Sequence, residues 1–218
     1  EAQVWLKDNL KNSSEKKALT PNERLGKRIE RDLKRHRVGD TALIYTNHYA
    51  MYGKYGWGVK IDHPDKSKKH AGAFKKSSAS RVSLYAFLEG LKSARGFTNT
   101  VIVVENDYIV NALRKGWPMA WRDNNWNTWK GRSPINVDLW QQILPLFEEV
   151  DPLLELIPVH ASVTLIKEAK LLAMEACKSK DLRIDRGLQP FKGKFKKKRR
   201  RKRSKHPLNS KPTYSFSI

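Results

Sequence analysis

The stretch TVIVVEN, residues 100–106, holds four consecutive apolar β-branched residues between polar neighbours. A half-exposed strand alternates apolar and polar residues, whereas a strand that is buried on both faces reads as a continuous apolar run. Burial on both faces requires other elements to cover each side of the sheet. The run therefore predicts an α/β fold in which this strand lies in a sheet between helices.

The remainder of residues 40–180 supplies the other elements of such a fold. Further strands are predicted in TALIYTN (41–47), WGVKID (57–62), His70–Phe74 and LLELIPV (153–159). Helical periodicity is found in SRVSLYAFLEGLKSA (80–94), around residues 109–113, in NVDLWQQILPLFEEV (136–150) and in VTLIKEAKLLAMEACKS (163–179). This order predicts one domain with a mixed five-stranded sheet flanked by helices.

Residues 1–39 are predicted to form a basic N-terminal extension with a helix over residues 21–37. Thr20 is the predicted N-cap, Pro21 takes the first helical position, and Glu23 completes a capping box. The residues at 25, 29 and 33 form a narrow apolar stripe, and cations cover the rest of the helix. The candidate RNA-binding residues of this helix are Lys27, Arg28, Arg31, Lys34 and Arg35.

The charge of the chain is strongly positive, since 44 Lys and Arg oppose 22 Asp and Glu to give +22. Residues 181–218 are predicted to form a basic, largely irregular tail, in which residues 188–218 hold 12 cations and no acid. Such a surplus indicates a polyanionic partner, and nucleic acid is favoured over an anionic membrane. A nuclear localisation signal is the competing interpretation of the tail. Its candidate RNA-binding residues are Lys192, Lys194, Lys196, Lys197, Lys198, Arg199, Arg200, Arg201, Lys202 and Arg203.

Two further features limit the class of protein. Cys177 is the single cysteine, so neither an internal disulfide nor a cysteine zinc site is expected. No apolar stretch approaches the length that spans a bilayer, and no signal-peptide pattern follows Glu1. We expect a processed or truncated chain that has no membrane partner.

Several motifs resemble type I ribonuclease H over residues 41–179. Trp117, Trp121 and Trp126 have the W-x3-W-x4-W spacing of that family, and NVDLW follows at residues 136–140. RVSLYAFLEGL looks like the family's R-M-E-L helix, and His160-Ala161 looks like its H-A-G loop. The resemblance implies a ribonuclease H-like fold. It also implies hydrolysis of the RNA strand of an RNA–DNA hybrid by two Mg²⁺ ions that four carboxylates hold.

The resemblance places four other residues where the family has those carboxylates. The matching positions are Asn47, Ser83, Asn106 and Lys170. Glu105 flanks one of them, but the alternation of strand side chains predicts that it points to the opposite face. We therefore predict a degenerate active site without catalytic residues, metal or cofactor, and a protein that is not an enzyme.

The predicted function is that of a structural RNA-binding component of a large ribonucleoprotein. A mitochondrial ribosome is favoured, with rRNA and neighbouring proteins as partners, location in the matrix and no small-molecule substrate. One alternative is a nuclear protein that binds RNA–DNA hybrid or duplex, and another is an active hybrid nuclease with an unconventional site. A third is a protein-interaction scaffold whose tail only targets. Trp129 adds to the family pattern and is a candidate for stacking on bases.

Overall fold

The order of strands in the sheet is β3-β2-β1-β4-β5, in a computed structural model that describes residues 19–36, 39–158 and 161–188. The strands are β1 (Thr41–Met51), β2 (Lys54–Asp62), β3 (Lys68–Phe74), β4 (Asn99–Val104) and β5 (Leu153–Leu156). The first three pair antiparallel, whereas β1 with β4 and β4 with β5 pair parallel. The predicted mixed five-stranded sheet is confirmed.

Helices cover both faces of this sheet, as the apolar run in β4 requires. They are α1 (Pro21–Arg35), α2 (Ala79–Ala94), α3 (Asp107–Arg114), α4 (Trp117–Asp123), α5 (Val137–Val150) and α6 (Thr164–Lys178). Alternate residues of β4 enter two separate apolar clusters, with Ile102 in the cluster beneath α2 and α5 and Val103 in the one beneath α1 and α6. Helix α4 lies in the Trp-rich segment, where the periodicity predicted none. Within the described residues, no helix has the length and apolarity needed to cross a membrane.

Close contact between α6 and β2 depends on two glycines. A Cβ atom at Gly56 would lie 2.0 Å from the carbonyl oxygen of Ala173, and one at Gly58 would lie 2.1 Å from that of Ala169. Both distances are far below van der Waals contact, so only glycine allows the helix backbone to approach the strand this closely. This approach fixes the position of α6, which carries Lys170.

Helix α1 is part of the folded domain. Its predicted capping box is present, because the Thr20 hydroxyl accepts a hydrogen bond from the backbone N–H of Glu23, and the Glu23 carboxylate accepts one from that of Thr20. Leu33 is buried in the cluster beneath α6, with Leu25 and Ile29 packed against it. The apolar stripe therefore docks the helix on the sheet and turns its cations outward.

Residues 181–188 also pack on the domain, although the sequence places them in the tail. The backbone N–H of Arg183 donates to the Ala73 carbonyl at 2.9 Å, and the Arg183 carbonyl accepts from Lys75 at 3.0 Å, which extends the edge of β3. Asp185 is buried and accepts hydrogen bonds from Arg81 at 2.8 and 2.9 Å. Contacts with the domain thus continue past the boundary predicted at residue 180, because contacts between residues far apart in the sequence give no periodic signal.

Candidate functional site

Four elements bring the residues inferred from the resemblance to the carboxyl end of β4. Asn47 lies on β1, Ser83 on α2, Asn106 at the start of α3 and Lys170 on α6. They line two adjoining clefts that share Asn47, His48 and Glu105, and the wider cleft has a volume of about 300 Å³. We call these two adjoining clefts the tip pocket. His160, the candidate loop histidine, lies outside the described residues.

The side chain of Glu105 enters the tip pocket, contrary to the prediction that it points away. Its carboxylate accepts a hydrogen bond of 3.0 Å from the side-chain amide of Asn47. The prediction extended the alternation of strand side chains to Glu105, but β4 ends at Val104. Alternation holds only while the backbone remains extended. The tip pocket therefore contains a carboxylate.

Asn106 has a structural task that the sequence did not reveal. Its side-chain oxygen accepts hydrogen bonds from the backbone N–H groups of Tyr108 at 3.0 Å and Ile109 at 3.3 Å. These bonds make it the N-cap of α3, a position that asparagine favours. At this strand end Glu105, and not Asn106, offers a charged oxygen to the pocket. The capping preference of Asn before a helix was the signal available in the sequence.

A second set of hydrogen bonds crosses the pocket. The side-chain oxygen of Asn47 accepts from the backbone N–H of His48 at 2.7 Å, and Nδ1 of His48 lies 2.9 Å from the Ser83 hydroxyl. Burial lowers the pKa of His48, and the nearby Lys170 ammonium lowers it further. The imidazole is therefore biased toward its neutral form.

Glu105 experiences opposing effects. Burial raises the pKa of its carboxyl group, while the hydrogen bond from Asn47 and the positive charge of Lys170 act in the opposite direction. The burial effect is the largest and the net direction is upward. An acid in a cleft whose pKa is shifted by burial and by a neighbouring charge is a candidate functional group.

The donor atoms do not fit the pair of Mg²⁺ ions that the resemblance implied. Mg²⁺ requires oxygen ligands, and carboxylates supply the charge that offsets its dehydration. Here Glu105 is the carboxylate lining the tip pocket, the side-chain oxygens of Asn47 and Asn106 already accept hydrogen bonds, and α6 contributes an ammonium group. The described part of the chain contains no group of three or more His, Cys, Asp or Glu that could hold a metal ion. The absence of a resident metal or cofactor stays a prediction.

The tryptophans of the family pattern are mainly packing residues. Trp140 is fully buried, and its ring lies 5.9 Å from those of Tyr108 and Trp121. Arg122, the one cation offered by WRDNNW, forms hydrogen bonds of 2.7 and 2.9 Å with Glu148 of α5. The charge of Arg122 is therefore balanced by Glu148 as well as by the adjacent Asp123.

The remaining candidates lie on the surface or outside the described residues. Helix α1 exposes every one of its predicted RNA-binding cations, although Arg35 is paired with Asp32 at 3.2 Å. The ten tail cations from Lys192 to Arg203 lie beyond residue 188, where the structure describes nothing. Within the described residues, no side chain of the tip pocket forms a hydrogen bond with a cation of α1.

Comparisons with known proteins agree with this fold. The RNase H family model matches residues 41–178. Ribonuclease H of Syntrophus aciditrophicus is 27% identical over 147 residues, which cover 66% of this chain and 85% of that relative. The foamy viral protease–reverse transcriptase, solved in complex with RNA/DNA hybrid, superimposes with a TM-score of 0.56 at 18% identity, over 62% of this chain and 20% of that one. LC9-RNase H1, a type 1 RNase H, superimposes with a TM-score of 0.54 at 18% sequence identity, over 65% of this chain and 74% of that one.

These comparisons contradict one prediction from the sequence. The relatives are named Ribonuclease H, which is an enzyme, whereas the chain was predicted not to be one. That prediction assumed a pocket without acids, and the carboxylate of Glu105 removes this assumption. The prediction of a non-enzyme is therefore wrong. The family match over residues 41–178 and the shared sheet show that this chain belongs to the ribonuclease H family.

Proposed function

We propose that this chain is an RNA-binding member of the ribonuclease H family and a structural component of a large ribonucleoprotein. The proposed assembly is a mitochondrial ribosome, with rRNA and neighbouring proteins as partners in the matrix. Support comes from the combination of a basic folded domain with a tail in which residues 188–218 carry 12 cations and no acid. Phosphate contacts would supply most of the affinity, with little reading of base sequence.

The observation that carries the proposal is the exposed cationic stripe of α1. Successive helical residues are about 100° apart, so the cations at positions 24, 27, 28, 31 and 35 lie within an arc of about 100°. This arc is opposite the stripe that docks at Leu25, Ile29 and Leu33. Over its length of about 16 Å, the cationic stripe can reach more than one backbone phosphate. A docked helix presents these charges in a fixed geometry, which lowers the entropic cost of binding.

The binding test compares two double variants with equal loss of charge. Lys27→Gln/Arg31→Gln alters the stripe, and Lys92→Gln/Lys115→Gln alters exposed cations on the opposite side of the sheet. Affinity for single-stranded RNA is measured against salt concentration. Each lost phosphate contact lowers the log–log salt slope by about 0.7. We expect the stripe variant to lose a slope of about 1.4 and the control to keep that of the wild type. Equal slopes for both variants would contradict binding through α1.

The assembly test follows the tagged full chain through a density gradient of mitochondrial lysate. We expect it to sediment with large ribosomal particles at physiological salt and its crosslinked RNA to be rRNA. A chain that stays in the light fractions, or that crosslinks to RNA in the nucleus, would overturn the proposed assembly. A variant that lacks residues 189–218 separates the tail from the domain in the same gradient. Retained RNA association without the tail would favour a scaffold that binds through its domain surface.

A second candidate function is the binding and hydrolysis of RNA–DNA hybrid. It is favoured by the name of the relatives and by the carboxylate of Glu105 in the tip pocket. The assay incubates the full chain with a labelled hybrid and either Mg²⁺ or Mn²⁺. Cleavage that disappears in Glu105→Gln and persists in Asp107→Asn would assign hydrolysis to this pocket. Cleavage that survives Glu105→Gln would assign it to a contaminating nuclease or to another site.

A further inference from the structure

The loop between α4 and α5 is held in one conformation by its own hydrogen bonds. The backbone N–H of Thr128 donates to the Arg132 carbonyl at 2.8 Å, and that of Gly131 donates to the Thr128 carbonyl at 2.8 Å. The Thr128 hydroxyl also donates to the Arg132 carbonyl at 2.9 Å. The side chain of Asn124 donates to the carbonyls of Asn127 and Thr128. These bonds close the turn around residues 129–131 and fix the backbone that carries Trp129.

Trp129 is 87% exposed at the apex of this turn. It differs from Trp140, which is fully buried, and from Trp121 and Trp126, which pack against the core. Trp129 belongs to neither apolar cluster of the domain. A tryptophan side chain offers about 150–250 Å² of surface for burial, and here almost none of it serves folding.

The surroundings of this indole are cationic and polar. The ammonium group of Lys130 lies 4.6 Å from the centroid of the Trp129 ring, over one face. Arg132 is exposed three residues further along the chain. Asn127, Thr128 and Gly131 complete the turn, so the neighbours of Trp129 within it are polar or small and differ from the apolar residues that fill the core of a protein interface. An aromatic ring with neighbouring cations matches an unpaired nucleobase and its flanking phosphates.

We propose that Trp129 is a stacking platform for one unpaired base of RNA, with Lys130 and Arg132 placed to bind the adjoining phosphates. The inference rests on the proposed RNA binding and adds a site that reads the presence of a base. The free face of the indole receives the base, while Lys130 covers the other face. Because the loop is preorganised, little conformational entropy is lost when the base stacks.

The test measures binding of the full chain to two fluorescent RNA oligomers of about eight nucleotides, a length within the usual range of single-strand sites. One is oligoadenylate, and the other has the same backbone without bases. We expect Trp129→Ala to weaken binding of oligoadenylate at least about fivefold, and Trp129→Phe to retain most of the affinity. Neither variant should change binding of the abasic oligomer. Tyr52→Asn removes another exposed aromatic residue, at the β1–β2 turn, and should change neither affinity.

Each other outcome overturns the inference. An equal loss of affinity for both oligomers would show that the substitution disturbs charge or loop structure and not stacking. If Trp129→Ala bound both oligomers with the affinity of the wild type, the stacking platform would be refuted. If that variant also no longer sedimented with the ribonucleoprotein particle, the indole ring would be assigned to a contact with a protein. A wild-type chain that binds neither oligomer would overturn the proposed RNA binding as well. Binding of both oligomers with no dependence on residue 129 would refute the stacking platform alone.

Discussion

Removal of Asp185 should destabilise the whole domain, although the residue lies beyond the last helix. Its carboxylate is inaccessible to solvent and accepts hydrogen bonds from Arg81, Ser77 and Tyr85. Burial acts to lower the pKa of the Arg81 guanidinium, but the hydrogen bonds and charges of Asp138 and Asp185 outweigh it, so that the pKa of Arg81 is raised overall. Loss of one partner from a buried ion pair costs about 3–5 kcal/mol. Because Asp138 would still pair with Arg81 at 2.8 Å, we expect the lower end, about 3 kcal/mol.

Two truncations and two point variants measure this effect. A chain that ends at Lys180 lacks the contact, whereas a chain that ends at Leu188 keeps it. We expect the shorter chain and Asp185→Ala to lose about 3 kcal/mol of unfolding free energy, or about 6–12 °C in Tm for a domain of this size. Asp181→Ala, an exposed neighbour, should lose almost nothing. Chemical denaturation followed by circular dichroism gives these values, and equal stability of the two truncations would refute the reasoning.

Three further predictions concern the packing and the pocket. Gly58→Ala should lower the free energy of unfolding by about 1–3 kcal/mol, because its methyl group would meet the α6 backbone. A methyl group at Gly96 would have open space around it, so Gly96→Ala should leave the stability unchanged. Thermal unfolding measures both effects. Burial and the charge of Lys170 lower the pKa of His48, so wild-type stability should fall as pH drops below about 6.5, and His48→Gln should flatten this slope. Burial raises the pKa of Glu105, so Glu105→Gln should be more stable than the wild type at neutral pH. This advantage should disappear near pH 4, about the pKa of glutamate in the unfolded chain. A difference in unfolding free energy between variant and wild type that stays the same across this range would contradict the assignment.

The Glu105 prediction also bears on why the pocket has its present form. A carboxylate whose pKa is raised by burial costs stability above that pKa, and such costs are typical of functional positions. Its hydrogen bond to Asn47 and the charge of Lys170 offset part of that cost. Neutral replacement should relieve the cost, while its effect on hybrid cleavage and RNA binding shows what the carboxylate does.

Local patterns in the sequence predicted most of the fold. The apolar run of β4 required cover on both faces, and the helical periods of α2, α5 and α6 supplied it. The capping box at Thr20 fixed the start of α1 because its bonds connect residues only three apart. Helix α4 was missed, since it has only seven residues and is too short to show a repeating apolar period.

The composition and order of the sequence by themselves determined a basic chain with a mixed sheet between helices, because burial periodicity and capping are local properties. Tertiary structure alone decided which side chains meet. It ended β4 at Val104 and thereby turned Glu105 into the tip pocket, while Asn106 became a helix cap. It also joined Asp185 to Arg81 across about a hundred residues of chain. Contacts of this kind depend on where strands end and on which residues, distant in the sequence, pair with a buried charge. No local pattern encodes either of these.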